Sequence, residues 1–137
     1  MSTILWLSGR PRQGKTPFAK TFREKGIGVF STDDFIAQLH EWCDDPDVQA
    51  RAKQGHTKIG RFLRKMVKRK KADFIAGVFL QPPHGFSPDG PLCVIEGYMP
   101  LTIQCRIAGT LEGLGHFVWY AMRDKQLRTF LKRQDWK

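Results

Sequence analysis

Long apolar runs are missing from this chain. No stretch approaches the ~20 residues that a membrane-spanning helix requires, so a bilayer span is excluded and a soluble protein with no membrane partner is expected. Cysteine is sparse: Cys43, Cys93 and Cys105 are odd in number and form no C-x-x-C pair. That pattern indicates neither a disulfide framework nor a zinc site, and the three read as small buried residues. Internal repeats and low-complexity segments are also missing. Met1-Ser2-Thr3 leads at once into an apolar segment and leaves no room for a secretory signal, so a cytoplasmic location is expected. Acids are the scarce charge, 13 against 23 Lys and Arg, for a formal net charge of +10. Six of the acids crowd into residues 33–47, whereas residues 51–71 hold ten basic residues and no acid. Such a block either attracts phosphate-bearing partners, including nucleotide and nucleic acid, or forms a solvated helix face.

What is present begins with Gly9-Arg10-Pro11-Arg12-Gln13-Gly14-Lys15-Thr16, a G-x-x-x-x-G-K-T run directly behind the apolar segment Thr3-Ile4-Leu5-Trp6-Leu7. A glycine-rich loop of this kind turns backbone N–H groups around phosphate oxygens; its lysine reaches the β/γ-phosphates and its hydroxyl ligates magnesium. The following helix adds its positive N-terminal end. Both flanks agree, because Ile4 to Leu7 suit a buried parallel strand while Phe18, Ala19 and Phe22 recur at helical spacing. Gly9, Arg12, Gln13, Gly14, Lys15 and Thr16 are therefore the candidate nucleotide-binding residues.

At 137 residues the chain makes one domain, 1–137, small for a complete nucleotide-binding α/β fold. Strands are predicted at 3–8, at 27–30, at 92–98 and at 116–122. Helices are predicted at 15–25, at 34–42, from a cap at Asp44-Asp45-Pro46-Asp47, from His56 onward, at 101–114 and at 124–133. The run Phe74-Ile75-Ala76-Gly77-Val78-Phe79-Leu80 fits a strand or a continued helix, and the prolines and glycines of 82–91 force a loop. Alternating strands and helices predict an α/β fold, a parallel sheet of four or five strands flanked by helices.

Ligands in such sheets bind at the carboxyl edge, which singles out the residues there. Asp33 follows the second strand and is the candidate general base, with Asp34 the runner-up; helix capping by this hydroxyl- and carboxylate-rich Ser31-Thr32-Asp33-Asp34 segment is the structural alternative. Glu96 is the only acid in an apolar strand, where a charge is costly unless it is paired or binds something. It suits a magnesium partner to Thr16, or else a carboxylate held by Lys15. Gly97 would let backbone pass close to a ligand. Arg123, Arg128 and Arg133 follow the fourth strand, and Arg128 is the first candidate to clamp a transferring phosphoryl group. His40 and His84 receive no role, and Trp42 and Phe86 fit core packing or stacking on a substrate ring.

Together WLSGRPRQGKT, VFSTDDF, CVIEGY and HFVWYAMRDKQLRTFLKR resemble the small P-loop kinases of the nucleoside-monophosphate-kinase-like group. Within it the DD after the second strand looks like polynucleotide 5′-kinases and chloramphenicol phosphotransferase. The resemblance implies a three-layer P-loop fold, ATP and magnesium as cofactors, and γ-phosphoryl transfer to a hydroxyl of an anionic small molecule or a polynucleotide 5′ end. It implies Lys15, Asp33 and Arg128 as catalytic residues, Thr16 and Glu96 as metal ligands, and a lid helix at 124–133. Family members usually continue into a fifth strand and an adenine-holding loop, so further sequence or another subunit is expected to complete the adenine site. Two other readings are a P-loop module that binds or hydrolyses nucleotide and docks nucleic acid through its basic surface, and a magnesium-independent sulfotransferase.

Overall fold

The computed structural model describes residues 1–7, 15–55 and 58–121, with backbone alone at 15–19, 55 and 121. The strand β1 (Thr3–Leu7) is followed by α1 (Lys15–Glu24), β2 (Val29–Ser31), α2 (Thr32–Trp42), α3 (Pro46–Gly55), α4 (Ile59–Lys68) and α5 (Ala72–Phe79). Then come β3 (Leu92–Glu96), α6 (Leu101–Gly113) and β4 (Phe117–Ala121). The ambiguous run at 74–80 is helical: Ala72, Ile75, Ala76 and Phe79 are buried at the i, i+3, i+4, i+7 spacing of one helix face. The expected helix at 124–133 lies outside the described residues.

The four described strands form one sheet in the order β2-β3-β1-β4, and every pairing is parallel. Parallel neighbours need crossovers, and right-handed crossovers decide where the helices lie. The step from β1 to β2 runs one way across the sheet, so α1 falls on one face. The steps from β2 to β3 and from β3 to β4 run the other way and put α2 to α6 on the opposite face. The core divides accordingly. Ile4, Trp6, Cys93, Ile95 and Val118 pack with the buried residues of α2 to α6, while Leu5, Leu7 and Val94 pack with Phe22 of α1. Strand side chains alternate between faces, which is why β1 is apolar at every position from Ile4 to Leu7.

No described helix is long and apolar enough to cross a membrane. Cys43 and Cys93 are buried and Cys105 is exposed, and all three are free thiols. Burial pushes the Cys43 thiol above its ordinary range, with a smaller lowering from its hydrogen bond to Asp45.

Candidate functional site

Strand register gathers the chemistry-bearing residues at one edge. Leu7 pairs with Glu96 and with Ala121, and Ser31 pairs with Glu96, so all four strands end at the same level. Residues 8–14 follow Leu7 directly, and Asp33 stands two residues beyond Ser31. This is the carboxyl edge, where open parallel sheets bind ligands.

At the end of β2 the chain turns straight into α2. Ser31 Oγ accepts the backbone N–H of Asp34 at 3.2 Å and is the N-cap of the helix. Within the Ser31-Thr32-Asp33-Asp34 segment, the capping role therefore falls to the serine and not to the two aspartates. Asp33 and Asp34 stand exposed in the first turn, and among the described residues neither carboxylate has a hydrogen-bond or ion-pair partner. Their position also places negative charge beside the positive end of α2.

Glu96 keeps 19% of its side chain exposed. Its alternation with Leu92 and Val94 turns it toward the face covered by α1, where the guanidinium of Arg23 lies 3.9 Å from its carboxylate. At that distance the pairing is coulombic and leaves oxygen lone pairs for a further partner. Arg23 carried no signal in the sequence, because it sits in the last turn of α1, remote along the chain from Glu96. Lys15, offered as the holder of Glu96, opens α1 together with Thr16, and their side chains lie outside the described residues. Gly9, Arg12, Gln13, Gly14 and Arg128 lie outside them entirely.

Behind Glu96 the edge is braced by Gly97. Its N–H donates to the Leu7 carbonyl at 3.0 Å and its carbonyl accepts Trp6 Nε1–H at 3.1 Å, joining β3 to β1. It adopts φ of +130°, and a Cβ there would collide with Oγ1 of the buried Thr32. The room expected for a ligand is thus filled by Thr32, whose hydroxyl donates to the Tyr98 carbonyl at 3.4 Å. Tyr98 itself is 38% exposed and lies beside Gly60 at the start of α4.

The basic block resolves into two parts. Asp47 binds both Arg51 at 2.9 Å and Arg69 at 3.0 Å, and Asp45 binds Lys71 at 2.9 Å. The Arg51 contact lies within α3, whereas the contacts of Arg69 and Lys71 join the start of α3 to the segment between α4 and α5. Arg61, Arg64, Lys65 and Lys68 remain exposed, and none forms an ion pair among the described residues. His84 stacks on Trp42 with ring centroids 4.5 Å apart, and Phe86 is buried in the core.

A cavity of about 810 Å³ opens at the opposite edge, lined by Gly28, Val29, Phe86, Pro91, Leu92 and Cys93. It lies at the amino ends of β2 and β3 and includes neither Asp33 nor Glu96. Glu96 and the Asp33-bearing start of α2 both stand at the carboxyl edge, which is therefore the candidate site. Among the described residues no group of three or more His, Cys, Asp or Glu could hold a metal ion by itself. Comparisons with protein-family models, with curated proteins and with solved structures find no match to this chain.

Proposed function

We propose that the protein is an ATP- and magnesium-dependent phosphotransferase of the P-loop kinase type, acting on a hydroxyl of an anionic acceptor. The observation that supports this most is the register that brings the end of β1, the Asp33-bearing start of α2 and the Glu96 carboxylate to one edge of a parallel sheet. The donor set fits magnesium, which is held by one or two carboxylates together with substrate phosphates rather than by an all-protein cage. Glu96 and Thr16 would hold it, and when bound it would neutralise charge on the β- and γ-phosphates.

The chain's own residues then have separable tasks. The backbone of the 9–16 loop and Lys15 hold the phosphates, with Lys15 and Arg128 opposing the charge on the γ-phosphoryl group. Asp33 accepts the proton of the attacking hydroxyl. Its exposure suits it to this, since a carboxylate free of a capping duty can accept a hydrogen bond from an incoming acceptor.

Calorimetric titration with ATP and magnesium, paired with transfer of labelled γ-phosphate, tests the proposal. ATP binds the wild type and fails to bind Lys15→Ala. Asp33→Asn keeps ATP binding and loses transfer by about 10²-fold or more. Absence of ATP binding to the wild type would overturn the reading.

A further inference from the structure

The outer face of α4 carries a stripe of cations that no ion pair among the described residues uses. Arg61, Arg64, Lys65 and Lys68 follow i, i+3, i+4, i+7 spacing and so share one face, whereas Phe62, Leu63 and Met66 turn inward and are buried. At 1.5 Å per residue the stripe runs for about 10 Å. The neighbouring cations Arg51, Arg69 and Lys71 are held by Asp45 and Asp47, so fold stability accounts for them and leaves the stripe unexplained.

A second observation gives the stripe a terminus. Gly60 has no side chain, and a Cβ at that position would lie 3.6 Å from Arg64 Nη1 and 3.9 Å from Tyr98 Cε1. The guanidinium and the phenol ring therefore converge over one glycine. Tyr98 is two residues past Glu96 and is tied through its carbonyl to Thr32, next to Asp33. An exposed ring thus stands between the stripe and the carboxyl edge of the sheet.

We infer that α4 and Tyr98 form a track for single-stranded nucleic acid, with the phosphate backbone on Arg61, Arg64, Lys65 and Lys68 and a base stacked on Tyr98. A line of cations that can follow a phosphate backbone and an aromatic platform for a base are two elements of sequence-tolerant single-strand binding. A small phosphorylated molecule would engage one or two of the cations and leave the length of the stripe unused. A membrane surface would need an apolar face beside the charges, and that face of α4 is in the core. The orientation of the track toward Asp33 rests on the phosphotransferase reading, whereas the binding itself does not.

Anisotropy of a fluorescent single-stranded oligonucleotide of about ten nucleotides, titrated with the full chain, tests the track. With four phosphate contacts, affinity falls about 50-fold between 50 and 200 mM salt. The variant with Arg61, Arg64, Lys65 and Lys68 all changed to Gln loses most of the affinity and most of the salt slope while keeping the wild-type circular dichroism spectrum. Tyr98→Leu weakens binding about tenfold and leaves the slope unchanged. The inference is overturned if the oligonucleotide does not bind at 50 mM salt, if the four-site variant binds as tightly as the wild type, or if phosphatidylserine vesicles bind and the oligonucleotide does not. Oligonucleotide binding without ATP binding would sink the phosphotransferase reading alone, and ATP binding without oligonucleotide binding would sink the track alone.

Discussion

Gly97 illustrates how one residue fixes the geometry of the edge. Its φ of +130° is a region that side chains other than hydrogen rarely adopt, and Thr32 fills the space a Cβ would need. Gly97→Ala therefore adds backbone strain to a collision, and a loss of about 2 kcal/mol or more is expected in urea denaturation. Thr32→Ala in the same chain removes the Oγ1 collision but leaves its own Cβ 3.1 Å from the new one and leaves the strain, so the double variant should recover only a fraction of the loss. Equal midpoints for wild type and Gly97→Ala would show that the contact does not constrain the fold. Thr32 and Gly97 are far apart in sequence, and nothing in either neighbourhood announces that they touch. The same holds for Arg23 beside Glu96 and for Tyr98 beside Gly60. The roles at this scale that could be read from residue type and local position were those of Asp33 and Glu96 as edge carboxylates.

Among the elements, α3 and α4 are joined by charge as much as by apolar contact. Asp45 accepts the backbone N–H groups of Asp47 and Val48 at 3.0 and 3.1 Å and so caps α3, while it also binds Lys71. The Lys71 hydrogen bond holds the Asp45 carboxyl below the usual value of 3.8, and the Arg51 hydrogen bond does the same for Asp47, with Arg69 adding to it. Depressed folded-state values mean that the unfolded chain binds protons first as pH falls. The stabilisation is thus intact above about pH 4 and is lost as pH drops through the lower folded values. Urea midpoints measured from pH 7 to pH 2.5 should fall steeply below pH 4 in the wild type and less steeply in Asp45→Asn/Asp47→Asn. Identical acid limbs would refute these two carboxylates as the cause. The cap at 44–47 was legible because aspartate before proline is a helix-start signal. The pairing of Asp47 with Arg69 was not, because it depends on how α3 and α4 pack. Likewise the run at 74–80 carries too few residues for periodicity to separate strand from helix. Its place against α6 and the sheet settles it as α5.

For the molecule as a whole, the large helical face of the sheet is organised around one ring. Phe79 lies 6.0 Å from Trp6 of β1, 5.3 Å from Phe30 of β2, 5.3 Å from Phe35 of α2 and 6.1 Å from Phe86 of the 82–91 loop, measured between centroids. A residue at the end of α5 therefore touches two strands, a second helix and the loop that bounds the cavity. The alternation of strands and helices made the parallel sheet legible, but ring packing across five segments has no local signature. Removing a fully buried phenyl costs about 3–5 kcal/mol, against a total of about 5–15 for a native domain. Phe79→Ala should thus consume a large share of global stability, with the urea midpoint falling sharply. Its m-value should stay near the wild-type figure, since the same surface is exposed on unfolding. Phe79→Leu should lose less, because it retains apolar volume while giving up the edge and stacking contacts. Trp6, stacked on Phe79, also donates its Nε1–H to the Gly97 carbonyl, so a displacement at Phe79 is expected to reach the carboxyl edge. If ATP binds as proposed, Phe79→Leu should weaken it without changing any residue at that edge; a folded Phe79→Leu protein with unaltered ATP affinity would show that the ring cluster and the edge are independent.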